Sequence, residues 1–249
     1  LARASDLRCG EERCTLLSLR DIRAEKRRDY LERVFHHDLM NTMGGLIGIT
    51  DCLQFAEGVE RDELIESVAR VSGRLLGEIR AHRSLYLAET GAYVPTKVAA
   101  SADGLLDEVR QVFSNHAVAR GKRLVIEPPG EAAVLEVDVA LVGRVLENMV
   151  KNALEATAPG GEARLACDVD ERALTFTAWN AGAIPEGVRP HIFTRSFTTK
   201  HGAGRGMGTY SIRLLGERVL GGRVWFDTDP ADGTRFSFRL PRTSADDRL

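Results

Sequence analysis

The chain has few cysteines and no long apolar run, and these absences exclude several classes of protein. Cys9, Cys14, Cys52 and Cys167 form no Cys-x-x-Cys pair, and no histidine lies at zinc-motif spacing from them. Scattered cysteines argue against a disulfide scaffold and fit a reducing compartment. No segment approaches the ~20 apolar residues that span a bilayer. We therefore expect a cytoplasmic chain with no membrane segment. Because it begins at Leu1, we expect a piece of a longer protein, whose other parts could tether it to a membrane.

Excess charge of one sign is also absent. The formal net charge is −2 over 249 residues, so no positive field favours nonspecific binding of nucleic acid. The hydrophobic share of 43% is too high for a disordered chain, and the 6% of aromatic residues predicts aliphatic cores. The 24 glycines slightly exceed the usual share, and four of them alternate over residues 202–208.

The first part of the chain is predicted to be mostly helical. Residues 13–22 have the pattern of a short strand, and a long helix follows with apolar residues three or four apart from Leu31 to Leu53. A second helix is predicted from about Arg61 to Glu89. Both apolar stripes are narrow and heptad-like, which favours a helical hairpin that completes a four-helix bundle by dimerisation. The alternative is two packed helices inside a larger monomer.

After a Gly- and Pro-containing linker at residues 90–97, the pattern changes to mixed α and β. Strands separated by helices and followed by a closing hairpin predict an α/β sandwich with helices on one face of a mixed sheet. The fold class is therefore α+β. The predicted helices are 102–119, 138–157 with Asp138 as N-cap, and 209–220; the predicted strands are 123–127, 163–170, 173–180, 223–228 and 234–240.

The first group with chemical potential is FHHDLMNTMGGL, residues 35–46. On a helix, His37 is turned away from the face of Phe35 and Leu39, and Asn41 lies one turn beyond His37. Asp38 can hold one ring N–H and leave the other nitrogen free as a nucleophile. The plain alternative is a surface histidine on a charged helix. His36 competes for the same role but is not followed by the acid.

The second group lies in RVLENMVKNALEAT, residues 144–157. Asn148 and Asn152 are four residues apart, so both amides project from one face of a helix. Amide oxygens suit Mg²⁺, and Ala153 leaves room for a ligand. A hydrogen-bonded core helix explains the pair equally well.

The third group is the glycine-rich stretch that ends at Gly208. Alternating glycines before a helix let backbone N–H groups point at an anion, and Lys200 can meet a terminal phosphate. The spacing matches neither the P-loop nor the dinucleotide-fold motif. A flexible linker remains the alternative for this stretch taken alone.

Together the three groups resemble the conserved boxes of two-component sensor histidine kinases. FHHDLMNTM is similar to the phosphoacceptor box, NMVKNALEAT to the N box, NAGAIP to the first glycine box, FTRSFTTK to the F box and GRGMGTYSIRLL to the second glycine box. The resemblance covers roughly residues 25–241. It implies the end of a PAS-like sensory domain with its linker at 1–22 and a dimerisation and phosphotransfer hairpin at 23–92. A catalytic ATP-binding domain at 98–241 and a tail at 242–249 follow.

The resemblance also implies a role for each matched residue. His37 is phosphorylated, Asp38 is its base and orienting acid, and Asn41 orients a water for the reverse, phosphatase reaction. Asn152 binds Mg²⁺. The residues implied in ATP binding are Asn148, Lys151, Asn152, Asn180, Gly182, Lys200, Gly202, Gly204, Gly206, Met207 and Gly208.

Three positions depart from the family pattern. Asn180 replaces the aspartate that accepts a hydrogen bond from adenine; an Asn carbonyl can accept that bond but only in one amide orientation. Thr42 replaces the proline after the phosphoacceptor, with Gly44 and Gly45 nearby, which predicts a weaker bend. Glu155 stands where many relatives carry a basic phosphate contact, which Lys151 or Lys200 can replace.

The resemblance implies an enzyme, an ATP-dependent protein histidine kinase that acts as a homodimer. It passes the phosphoryl group to an aspartate of a response-regulator receiver domain and also dephosphorylates that regulator. One alternative is a degenerate kinase that serves as a phosphotransfer or scaffold protein without ATP hydrolysis. Another is a Ser/Thr kinase of the anti-sigma type, which shares only the nucleotide domain.

Overall fold

The computed structural model describes residues 2–9, 12–19, 39–194 and 207–242. It divides into two compact units, Leu1–Ile79 and Arg80–Leu249.

The first unit begins with a two-stranded antiparallel ribbon. Strand β1 (Ala2–Cys9) pairs with strand β2 (Glu12–Leu19), so that Ala2 lies opposite Leu19 and Cys9 opposite Glu12. The sequence predicted a strand over residues 13–22, which overlaps β2, and missed β1. The miss has a simple cause, because β1 carries charged residues at Arg3, Asp6 and Arg8 and lacks a regular apolar alternation.

Two helices follow in the described part of this unit. Helix α1 occupies residues 39–53, and helix α2 (Gly58–Thr90) continues into the second unit. The chain turns between them, where Phe55 N–H donates to Cys52 O, and Gly58 begins α2 with a φ of +56°. The predicted start of the first helix, with Leu31 and Phe35, lies outside the described residues.

The second unit contains a five-stranded mixed sheet in the order β4-β6-β7-β9-β8 and a separate antiparallel pair, β3 with β5. In the five-stranded sheet, β4 and β6 are parallel and the other neighbours are antiparallel. Its strands are β4 (Arg123–Ile126), β6 (Glu162–Val169), β7 (Ala173–Asn180), β8 (Arg223–Asp229) and β9 (Gly233–Pro241); the pair is β3 (Val98–Ser101) and β5 (Val134–Val137).

Helices α3 (Ala102–Ser114) and α4 (Val139–Ala156) build the core of this unit together with the sheet. Helix α4 packs on β6 and β7, and its apolar face is fully buried at Leu146, Met149 and Leu154. The predicted α+β class is therefore confirmed, with a helical region followed by a mixed sheet domain. The sequence missed β3 and β5 because four-residue strands give too short an alternation to read.

The N-terminus of α4 also holds the connector from α2. Asp138 is the N-cap: Oδ1 accepts from Leu141 N–H at 3.1 Å. Oδ2 of the same buried carboxylate accepts from Tyr93 Oη at 3.2 Å and from Thr96 N–H at 3.0 Å. The segment predicted as a linker has no regular structure, yet it is fastened to the helix that carries Asn148 and Asn152.

Two predicted helices differ from those observed. The helix predicted over 102–119 ends at Ser114 and is followed by a 3₁₀ turn at Ala117–Ala119. The helix predicted over 209–220 is helix α5 (Gly208–Arg213) followed by a π-helical segment, Leu214–Val219. Close packing accompanies this change, because a Cβ added at Gly216 would lie only 2.7 Å from Cγ2 of Val224.

Candidate nucleotide-binding site

The two asparagines of α4 lie on one half-buried face of the helix. Asn148 Nδ2 donates to Arg144 O at 3.0 Å and to Ser211 Oγ at 3.1 Å. Ser211 Oγ in turn donates to Gly208 O at 2.8 Å. The side chain of Asn148 thus fastens the first turn of α5 to α4.

Asn152 lies beside the same turn of α5, at Gly208. A Cβ added at Gly208 would lie 3.3 Å from Asn152 Oδ1, 3.7 Å from Asn152 Nδ2 and 3.8 Å from Asn148 Oδ1. Within the described part of the chain, Asn152 Nδ2 is buried and has no hydrogen-bond partner. An amide presents an oxygen or a nitrogen to a ligand according to its rotation. The pair therefore fits a polar ligand that approaches between α4 and Gly208.

Asn180 lies at the end of β7 and is only 3% exposed. Its Nδ2 donates to Gly182 O at 3.1 Å, and Thr234 Oγ1 donates to the same oxygen at 2.7 Å. The bond from Nδ2 fixes the orientation of the amide, which leaves Oδ1 as the atom that can accept from a ligand. A carboxylate at this position could not donate to Gly182 O when ionised.

Gly182 lies close to the carboxyl end of α4. A Cβ at Gly182 would be 3.1 Å from Asn180 Nδ2 and 3.2 Å from Ala156 O. Asn180 and Gly182 therefore lie beside the turn of α4 that contains Ala156. Gly208 lies beside the preceding turn, which contains Asn152. These elements are distant in the sequence and meet along one helix.

The other predicted nucleotide contacts divide into two sets. Met207 is partly buried against the core and its carbonyl accepts from Ser211 N–H at 2.8 Å, whereas Lys151 is exposed on α4. Four predicted residues lie outside the described residues: Lys200, Gly202, Gly204 and Gly206.

In the first unit, Asn41 is exposed on α1, while His37 and Asp38 lie outside the described residues. Helix α1 runs without a break through Thr42, Gly44 and Gly45.

Sequence reasoning missed Ser211, Thr234 and Thr209, which support the predicted residues through hydroxyl groups. The hydroxyl of Thr234 joins β9 to Gly182 O, and the hydroxyls of Ser211 and Thr209 join α5 to Asn148 and to Ile192 O. Only the chain fold reveals such partners, because they are separated by up to 63 positions.

Charged groups near the start of α4 are shifted by burial. Burial lowers the pKa of the Arg144 guanidinium to about 10, opposed by the charge of Glu147. Burial likewise raises the pKa of the Glu147 carboxyl, opposed by Arg144. Arg144 Nη1 also donates to Arg80 O at 3.4 Å, which links α4 to α2.

The donor set available for a metal is limited. In the ranges that the structure describes, no three His, Cys, Asp or Glu side chains cluster as metal ligands. Cys52 and Cys167 are free thiols, the first exposed and the second buried. A metal bound at Asn152 would therefore depend on ligands from water and phosphate, which is the usual coordination of Mg²⁺.

The helices of the described ranges lack the combination of length and hydropathy that a membrane span requires.

Comparison with known proteins decides the class of this site. Residues 137–244 match the family model described as histidine kinase-, DNA gyrase B-, and HSP90-like ATPase. The catalytic domain of the histidine kinase ThkA is 28% identical, with a TM-score of 0.54, and covers 59% of this chain and 97% of that domain. Residues 137–244 are an ATPase domain of this family.

Curated relatives of the chain are named as sensor proteins and sensory kinases. The chain is 25% identical over 221 residues to the sensor protein DivL of Caulobacter vibrioides, which covers 87% of this chain and 28% of DivL. It is 23% identical over 237 residues to the adaptive-response sensory kinase SasA of Crocosphaera subtropica, which covers 87% of this chain and 60% of SasA. The chain thus spans less than two thirds of either relative. The predicted resemblance to sensor histidine kinases is confirmed.

A second ThkA structure, in complex with the response regulator protein TrrA, is 20% identical and covers 97% of this chain and 79% of that chain. Its TM-score of 0.53 shows a shared fold.

Proposed function

We propose that this chain is the core of a sensor histidine kinase that phosphorylates its own His37 with ATP. The observation that carries the proposal is the meeting of Asn152, with its buried amide nitrogen unpartnered among the described residues, and Gly208 at one edge of an ATPase domain. A site of this kind offers polar side-chain and backbone groups to an anionic ligand while the rest of α4 stays in the core.

ATP is the phosphoryl donor in this proposal. Oδ1 of Asn180 accepts from the adenine amino group, because Nδ2 is held by Gly182 O. A side chain at Gly182 or Gly208 would crowd Asn180 or Asn152, respectively. Glycine at both positions therefore leaves room for the nucleotide beside these asparagines. Asn152 would hold Mg²⁺ through its amide oxygen, where the ion would offset charge on the phosphate oxygens. Lys151, Lys200 and the glycines up to Gly206 complete the proposed phosphate contacts.

The proposed chemical step is an in-line displacement at the γ-phosphorus. The free ring nitrogen of His37 forms the N–P bond as the P–O bond to ADP breaks, and ADP leaves with that electron pair. Asp38 holds the other ring nitrogen as N–H and orients the imidazole. Catalysis then depends on positioning the histidine and on electrostatic stabilisation of the phosphate oxygens.

The finer partners of the kinase are also proposals. The exposed apolar side chains of α1 and α2 support a homodimer through the hairpin at residues 23–92, with the ATP-binding domain at 98–241. The ThkA–TrrA complex supports transfer to an aspartate of a response-regulator receiver domain. Asn41, which is exposed on α1, would orient a water for dephosphorylation of that regulator.

The test is incubation of the chain with γ-labelled ATP and Mg²⁺, followed by acid treatment of the labelled protein. We expect acid-labile label that is absent from His37→Gln and retained in the matched variant His36→Gln. Unchanged labelling of His37→Gln would refute the assignment of the histidine.

The same experiment separates the alternatives. A chain that neither binds ATP nor takes up label is the degenerate scaffold suggested by Asn180 and Glu155. Acid-stable label indicates a Ser/Thr kinase. Chase of the labelled protein with purified receiver domains tests the transfer, and Asn41→Ala tests the proposed phosphatase step on a phosphorylated receiver.

A further inference from the structure

The start of helix α5 is fastened on two sides, and only one fastening involves the predicted asparagines. On one side, Asn148 Nδ2 donates to Ser211 Oγ, which donates to Gly208 O. On the other side, Thr209 Oγ1 donates to Ile192 O at 2.5 Å. Gly208, which lies against Asn152, is therefore held between two hydrogen-bonded anchors.

The carbonyl of Ile192 belongs to a well-anchored stretch of chain. The next residue, Phe193, packs on Phe226 of β8 and Phe236 of β9, with ring centroids 5.7 and 6.1 Å apart. The guanidinium of Arg213, at the end of α5, lies 5.2 Å from the centroid of the Phe193 ring. The hydroxyl of Thr209 thus ties α5 to a platform that three aromatic rings attach to the sheet.

We propose that Thr209 is a positioning residue for nucleotide binding: its bond to Ile192 O holds Gly208 at the distance from Asn152 that the ligand requires. This inference rests on the proposed function of the same site. Because its hydroxyl is bonded to Ile192 O, Thr209 acts through the backbone of the adjacent Gly208. The space between Gly208 and Asn152 is narrow, since a Cβ at Gly208 would lie only 3.3 Å from Asn152 Oδ1.

The test compares Thr209→Val, which keeps the shape but removes the hydroxyl, with Thr209→Ser, which restores it. Binding of a fluorescent ATP analogue with Mg²⁺ is measured at a temperature where all variants are folded. We expect Kd to rise roughly three- to tenfold in Thr209→Val, as for loss of one hydrogen bond, and to return within about twofold of wild type in Thr209→Ser.

Thr90→Val is the matched control. Thr90 Oγ1 donates to the backbone carbonyls of Tyr86 and Leu87, at 3.0 and 3.1 Å, so its removal deletes the same type of hydroxyl-to-backbone bond at the end of α2. We expect the Kd of this variant to equal that of wild type. In autophosphorylation, Thr209→Val should raise the KM for ATP and leave kcat at saturating ATP unchanged, a split that general destabilisation does not produce.

The inference is overturned if wild type binds the analogue and Thr209→Val binds it equally well. It is also overturned if Thr209→Ser is as weak as Thr209→Val, or if Thr90→Val weakens binding to the same extent. Failure of wild type itself to bind the nucleotide would instead refute the proposed function.

Discussion

The helices of residues 39–79 and the domain of residues 80–242 bury their apolar side chains to very different extents. In the domain, Leu146, Phe176 and Phe238 are completely inaccessible to solvent. Among residues 39–79, apart from Arg74, whose side chain the structure does not describe, only Ala56 is buried. Ile65 and Leu76 of α2 remain 50% and 48% exposed.

Among the described residues, only the domain closes an apolar core. The domain closes a core within one chain, where each buried side chain gains full transfer free energy and packing contacts. The helices expose apolar side chains that the described residues leave uncovered. In the proposed homodimer, a second copy of the hairpin would cover them.

The largest expected effect is on the core of the domain. Phe238 packs on Phe176 with ring centroids 6.4 Å apart, so Phe238→Ala leaves a cavity and should lower the free energy of unfolding by about 3–5 kcal/mol. Phe55→Ala, at a side chain 87% exposed, should change it by less than about 0.5 kcal/mol. Denaturant unfolding followed by tryptophan fluorescence measures both, because Trp179 and Trp225 lie in the sheet. Equal losses of unfolding free energy in the two variants would contradict the difference in burial between the two regions.

The next effect is on the site at the edge of that core. Asn152→Ala should weaken binding of the Mg²⁺ complex of an ATP analogue at least about tenfold, because the buried amide offers the ligand a polar group. The unfolding curve should stay close to that of wild type. Asn152→Asp keeps an oxygen ligand and should retain Mg²⁺-dependent binding. Titration of each variant with the analogue measures its Kd. An unchanged Kd in Asn152→Ala would show that Asn152 does not contribute to nucleotide binding.

A substitution in the helices should change the dimer dissociation constant and leave the unfolding of the domain unaffected. Leu76→Ala removes apolar surface that a dimer would bury twice, and should raise the dimer dissociation constant about tenfold or more. Val94→Ala, at an exposed apolar side chain of the connector, should leave it unchanged. Sedimentation equilibrium over a concentration series provides the measurement. A wild-type monomer at all concentrations, or no response to Leu76→Ala, would argue against the hairpin dimer.

The smallest effect concerns the connector at Tyr93. Tyr93→Phe removes the bond to Asp138 and should cost about 1 kcal/mol of stability at neutral pH. Tyr86→Phe, at an exposed ring on α2, is the control and should cost nothing measurable.

The contribution of Tyr93 should also depend on pH. Burial and the charge of Asp138 raise the pKa of the Tyr93 phenol above 10. The unfolded chain therefore loses this proton first, so the stability from Tyr93 is complete below pH 10 and is lost as the pH rises through the native value. The difference between wild type and Tyr93→Phe should shrink over that alkaline range in thermal unfolding curves. A constant difference would show that the phenol does not titrate as proposed.

Much of the fold was readable from local patterns. Strand β7 occupies the predicted residues 173–180, and α4 begins after its predicted N-cap, Asp138. Both have strong local signals, an apolar alternation in one and a capping side chain before an apolar periodicity in the other. The short strands β3 and β5 and the π-helical segment after α5 were missed or wrong, because tertiary contacts rather than local propensity define them.

The sequence by itself also determined the residue types of the site and their order, since Asn148 and Asn152 must share a helix face at a spacing of four. Only the tertiary structure decided what those residues meet: Gly208 against Asn152, Gly182 under Asn180, and Ser211 and Thr209 as anchors of α5. The physical reason is that helical and strand periodicities are set by neighbours a few residues away. A hydrogen bond between residues 63 positions apart exists only once the sheet and α4 have packed.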